Sequence, residues 1–248
     1  MAEYNTFRTA QGGVAQQAAI DEGLRSYMNR VYGLMSVGMG VTAVAAYGIS
    51  QAAVSANGTL SPLGVALYTS PLKWLVMFAP LIMVFAFGAA LNRLSVQGAT
   101  VLFYAFAAIM GVSISSIFLV FTGTSIVQTF LVTAIAFAGL SLWGYTTKKD
   151  ISGWGSFLIM GVIGLIVASI VNIFLQSSGM QFAISILGVL IFAGLTAYDT
   201  QNIKNTYLQM RDSGDEFVGK TAIMGALKLY LDFLNLFMFL LQFMGNRE

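Results

Sequence analysis

The sequence predicts an all-α fold, a polytopic membrane bundle of seven transmembrane helices, on three observations. Of 248 residues, 57% are hydrophobic and only 9% are charged, where a soluble domain carries roughly a quarter charged. A mean hydropathy of +0.79, with 19 Phe and 13 Met, leaves too little polar surface to coat a core in water. The apolar residues also gather into runs of membrane-spanning length, with the charges between them.

A spanning helix needs about 20 largely apolar residues, because about 30 Å of hydrocarbon is crossed at about 1.5 Å per residue. Seven runs qualify: Val31–Gln51, Leu72–Asn92, Ala99–Val120, Ser125–Tyr145, Trp154–Leu175, Met180–Ile203 and Ala222–Met244. They are too long and too unalternating for barrel strands, and backbone groups in hydrocarbon must find partners within their own segment, so helices remain. Residues 1–29 read as a polar cytoplasmic N-terminal tail and 30–248 as the transmembrane domain. The tail, with Asp21 and Glu22 among its polar residues, has no apolar stretch ahead of a small-residue cleavage site. The first span therefore serves as its own insertion signal.

Connections are short, as at Thr146–Asp150, Asn57-Gly58 and Ser178-Gly179, so consecutive helices should be antiparallel neighbours. Pro80, deep in the second span, removes a backbone donor and is expected to kink it. Gly33, Gly161 and Gly164 are expected to allow close helix packing. Trp74, Tyr145 and Trp154 near helix ends read as interfacial anchors.

Lys and Arg in short loops stay cytoplasmic. Arg8, Arg25, Arg30, Arg93, Lys148, Lys149, Lys204, Arg211 and Lys220 all fall on one side of the seven-span arrangement, against Lys73 and Arg247 on the other. This tally predicts a cytoplasmic N-terminus and a C-terminus on the opposite side. No Lys/Arg cluster is dense enough to follow a phosphate backbone, so nucleic acid is not an expected partner; the lipid bilayer is. With no Cys and no His, disulfides, thiolate chemistry, the usual zinc sites, His-ligated haem and Ser-His or Cys-His catalysis are excluded. Proton or metal chemistry must use carboxylates.

Eight of the ten acidic residues sit in tails or loops, leaving Asp199 in the sixth span and Asp232 in the seventh. A carboxylate in a spanning helix is costly to insert and normally marks an ion or proton path. Asp199 lies five residues before Lys204, about 7 Å inside the interface, and Asp232 four residues after Lys228, about 6 Å inside it if that lysine snorkels. The two aspartates could face each other at one level. Two carboxyls in contact there do not ionise together easily and can share a proton, which makes a pH sensor. A carboxylate pair also suits a hard cation such as calcium, permeant or bound, with modest affinity unless carbonyls assist. Other pairings stay open: Asp232 with Lys228 on its own helix, or Asp199 in headgroup water near Lys204. Arg93 is a candidate latch for one aspartate or an ordinary interfacial arginine. Asn235 shares the face of Asp232 and is a candidate supporting polar group, as Asn172 is in span five; both are more often interhelical hydrogen bonders.

At Gly194-Leu195-Thr196-Ala197-Tyr198-Asp199-Thr200-Gln201 and Ala226-Leu227-Lys228-Leu229-Tyr230-Leu231-Asp232-Phe233-Leu234-Asn235-Leu236-Phe237, the chain resembles the sixth- and seventh-span signatures of the Bax inhibitor-1 family. These are the seven-helix proteins that include the transmembrane Bax-inhibitor-motif proteins, and the likeness is to a bacterial-type member in the inner membrane. The resemblance implies a central seventh helix wrapped by the other six, and a hydrogen-bonded aspartate pair acting as a pH-sensitive element. It implies a calcium leak across the membrane, latched when closed by an arginine of the second span. Asp199 and Asp232 carry over by motif, Arg93 by position only. Asp212–Glu216 reads as a long acidic loop.

The expected function is thus a pH-sensitive calcium leak channel or ion pathway, with no cofactor beyond calcium itself and no enzyme activity. The resemblance also offers an alternative, modulation of a membrane AAA protease through protein interaction, for which the N-terminal tail is the candidate contact. A minor alternative is an intramembrane aspartyl protease. Asp232 follows bulky Leu229-Tyr230-Leu231 where the presenilin-type pattern has Gly-x-Gly-Asp, which weighs against it.

Overall fold

A computed structural model describes residues 3–91 and 93–247, with side chains from Ala19 onward. Eight α-helices follow one another: α1 (Glu3–Ala52), α2 (Pro62–Tyr68), α3 (Leu72–Leu91), α4 (Val96–Ile114), α5 (Gly123–Thr146), α6 (Trp154–Leu175), α7 (Ser178–Met210) and α8 (Asp215–Met244). A 3-10 turn, Ser115–Leu119, prolongs α4, and no strand occurs among the described residues. All but the short α2 are long and apolar enough to cross a membrane, α1 from Ala19.

Local sequence sets several of the starts. Ser95, Thr122 and Ser177 stand at N-caps, where their hydroxyls accept from the amides of Gly98, Ser125 and Met180 and so satisfy donors that a helix start leaves free. Ser61 caps α2 in the same way and Pro62 opens it; at 7 residues this helix is too short to show as an apolar run of spanning length. Helix α6 stops at Gln176, which takes up the left-handed conformation at φ 50°.

The boundary expected at residues 29 and 30 is not a structural break. Leu24, Tyr27, Met28, Val31 and Met35 are all buried and form one stripe at helical spacing, so the first span continues well ahead of Val31. Arg25, Asn29 and Arg30 lie between those positions and disguise the stripe as a polar tail. Residues 1 and 2 and the side chains of 3–18 lie outside the described residues, as does the backbone of Asn92. Nor is Asp212–Glu216 a long loop. Only residues 211–214 join α7 to α8, and Asp215 and Glu216 occupy the first turn of α8, where acidic side chains complement the helix dipole. Asp212 pairs with Arg211 and Glu216 with Lys220, at 3.6 and 2.9 Å.

Helix α8 is the most deeply buried, with 61% of its most apolar window inside the bundle against 11–39% for the other spans. It packs chiefly on α7, α1, α5 and α4. Tyr230 is wedged edge-on against Phe103 and Phe106, ring centroids 5.7 Å away in each case. Its hydroxyl lies 2.6 Å from that of Thr42, which also bonds the Ala107 carbonyl at 2.9 Å. A second cluster, including Leu158, Leu165, Ile184, Phe192 and Leu236, joins α6, α7 and α8. Side chains such as Phe85, Ile135, Phe157 and Phe174 stay largely exposed on the outside, as a lipid-facing surface requires.

Close approach occurs at glycines other than two of those expected. Gly33 and Gly164 face open space, whereas Gly161 meets Ile191. Helix α5 comes close to α7 at Gly144, where a Cβ would run into the carbonyl oxygen of Ala197. Pro80 lies inside α3 and is buried.

Candidate functional site on helices α7 and α8

Helices α7 and α8 run antiparallel across the short 211–214 connection, and this hairpin brings Asp199 and Asp232 within hydrogen-bonding reach of each other. Asp232 is 5% exposed, and among the described residues no N–H or O–H group donates to its Oδ2. The Asp199 side chain is 13% exposed, and its Oδ1 lies 3.7 Å from Nζ of Lys228, a side chain 44% exposed. The site is therefore graded, from a sealed carboxyl through a partly covered one to a half-exposed cation.

The alternatives left open by the sequence resolve differently from either expectation. Lys228 forms its ion pair across the helix interface with Asp199 rather than with Asp232 one turn along its own helix. Lys204 turns away from Asp199. Its ammonium donates to the Tyr145 carbonyl at 2.7 Å and lies 5.7 Å from that ring's centroid. Arg93 stands exposed on the turn after α3, with no ion pair to either aspartate among the described residues. Asn235 spends its amide on the Leu231 carbonyl one turn back, at 2.8 Å, so it supports its own helix rather than the pair. Asn172 is an interhelical bonder at the far end of the bundle, donating to Gln181, which in turn donates to Gln242.

Three polar features around the pair escaped the sequence reading. Gln201, two residues after Asp199, accepts from the Ile151 amide at 2.9 Å and donates to the Lys149 carbonyl at 2.8 Å, fastening the α5–α6 connection to α7. Thr200 bonds Ser141 of α5 at 2.9 Å, and Ser141 bonds Tyr32 of α1 at 2.6 Å. Lys228 is legible in the sequence as a depth marker and as a same-helix partner for Asp232, but not as the partner of Asp199. Gln201 and Thr200 lay inside the quoted motif, but no linear spacing says which loop or helix they face.

The donor set fits a resident calcium poorly. Calcium takes six to eight oxygens, and among the described residues no group of three His, Cys, Asp or Glu side chains gathers. The Lys228 ammonium already stands against Asp199. Outside the spans, Asp150 is held below the usual carboxylate range by hydrogen bonds from the Ser152 hydroxyl and amide, at 2.5 and 2.9 Å.

Comparison with known proteins agrees with the motifs on α7 and α8. A family model described as inhibitor of apoptosis-promoting Bax1 matches residues 24–248. A protein of Caulobacter vibrioides is 48% identical over 233 residues, covering 93% of this chain and 92% of its own. The inner membrane protein YbhL of Escherichia coli K12 is 44% identical over 228 residues, covering 91% and 94%, and a Rickettsia prowazekii protein is 42% identical over 235 residues, covering 94% and 95%. With a family model spanning nearly all of its length and seven spans in its fold, this integral membrane protein belongs to the Bax inhibitor-1 family.

Proposed function

We propose that the protein is a pH-sensitive calcium leak gated by Asp199, Asp232 and Lys228, lying in a bacterial inner membrane with its Lys/Arg-rich end in the cytoplasm. The observation that carries this reading is the sealed carboxyl of Asp232, with one oxygen that receives no donor among the described residues, against an aspartate that a half-exposed lysine neutralises. Ionisable groups inside spanning helices are costly and mark ion or proton paths. Calcium is the cargo here rather than a resident ion.

The proton and the lysine act in opposition. With the pair sharing at most one proton, its negative charge holds Lys228 against Asp199 and the cation path stays closed. When acid completes the protonation, that attraction is lost and Lys228 is free to move into water. Lys228 thus takes the latch role that position alone suggested for Arg93. Calcium flux into proteoliposomes at several pH values tests the reading. Wild type should leak more as pH falls, and the D199N/D232N double variant should lose the dependence; unchanged flux with an unchanged pH response overturns it.

A second reading, modulation of a membrane AAA protease, draws on α1, which begins at Glu3, far ahead of its span. Deleting residues 1–18 and following the lifetimes of protease substrates in cells separates the two, because a leak formed by the bundle does not need that segment. Against an aspartyl protease stands the complete burial of Leu229 and Tyr230 beside Asp232, which leaves a substrate backbone no approach along that helix.

A further inference from the structure

Helices α1 and α5 both pack on α8 without packing closely on one another. The gap between them is a groove of about 670 Å³ floored by Phe233 of α8, within the range of small-molecule sites. Its middle is apolar, with Met28, Met35, Phe137 and Ala138 along the walls. The hydroxyls of Tyr32 and Ser141, which also line it, already bond each other and ask nothing of an occupant. One end differs. Arg25 and Asn29 line it there from α1, Arg25 is exposed and without an ion pair among the described residues, and Lys148 and Lys149, which do not line the groove, come in the connection that follows α5.

Length and charge together select the occupant. From Arg25 to Ser36 the groove follows α1 for about 16 Å at helical rise, which is about half the hydrocarbon thickness of a bilayer. This matches one leaflet, and so one acyl chain. Basic groups at the mouth of a cleft between spanning helices recognise lipid phosphates. We propose that the groove binds an anionic phospholipid from the leaflet at the Lys/Arg-rich end, with its phosphate on Arg25 and one acyl chain lying against Phe233. The assignment is independent of any leak.

The test uses the full chain in neutral detergent, with phosphatidylglycerol or phosphatidylcholine of the same acyl chains added. Thermal unfolding and the number of lipids retained in native mass spectrometry are the readouts. Phosphatidylglycerol should raise the unfolding temperature of wild type more than phosphatidylcholine does. R25Q should weaken phosphatidylglycerol retention roughly fivefold, the effect of one surface cation, and abolish the preference. Because Ala138 is exposed in the groove wall, A138F should fold and should reduce retention of both lipids. Equal effects of the two lipids on wild type, or wild-type retention of phosphatidylglycerol by R25Q and A138F, overturn the proposal. If A138F does not fold, R25Q and the lipid comparison decide alone.

Discussion

The ammonium of Lys228 lies 3.7 Å from the Asp199 carboxylate on the neighbouring helix, although Asp232 stands one turn away on its own. A lysine that bridges two helices while 44% of its side chain meets solvent is cheap to detach. Solvent-exposed pairs contribute about 0–1 kcal/mol. K228M should therefore change the unfolding temperature little, yet raise calcium flux near neutral pH and flatten its pH dependence, while K228R keeps both near wild type. Flux through K228M at the wild-type level would remove Lys228 from the gate.

Asp232 predicts a separation of fold from function. Asn has nearly the same shape, and its amide can donate to Asp199, so D232N should fold at least as well as wild type while losing the acid response. D232A leaves Asp199 beside a void and should be the less stable of the two, by about 1–3 kcal/mol. Unfolding temperatures and flux measured on the same preparations check both statements.

The pH window is itself informative. There is no His or Cys, so no side chain of ordinary pKa titrates between about pH 5 and 8. Asp150 cannot supply a response there. Its folded pKa is depressed, so its stabilising contribution is fully present above the ordinary carboxylate range and is lost only as pH falls through the depressed value. A flux transition inside that window should survive D150N and vanish in D199N; survival in both would place the sensor elsewhere.

Gly144 tests the packing of α5 on α7. A methyl group there meets the Ala197 backbone, which cannot swing aside as a side chain does, and overpacking typically costs about 1–3 kcal/mol. G144A should lower the unfolding temperature, whereas G33A and G164A, which open onto free space, should not.

Gln201 is the fastening of the α5–α6 connection. Q201A strands the Ile151 amide and the Lys149 carbonyl, and tryptic cleavage after Lys148 and Lys149 should accelerate relative to wild type. An unchanged cleavage rate would show that the rest of the loop suffices.

Much of this architecture is legible along the chain, because a span announces itself by length and apolarity alone. What linear reading misses is facing. The stripe from Leu24 to Met35 was hidden by the charges between its members, and the start of α8 by Asp215 and Glu216, which are helix-opening residues as well as loop-like ones. At the site, the two aspartates stood out because no other acidic residue falls inside the seven apolar runs. Their companions did not, since Lys228, Thr200 and Gln201 acquire meaning only from the helix or loop opposite each of them. Arg93, a candidate by position alone, stands exposed on the turn after α3.

The polar ties of α8 are spread unevenly along it. At the far end, Gln242 is tied through Gln181 to Asn172, and just beyond the helix Asn246 bonds Thr122 and Ser125 at the start of α5. At the aspartate level its polar ties to α7 are one long ion pair and a carboxyl contact, and apolar packing around Tyr230 holds the rest of the shaft. Hydrogen bonds fix a helix at one register, whereas packed side chains tolerate small sliding. Release of the Lys228–Asp199 contact therefore acts on the stretch of α8 whose seat is apolar rather than pinned.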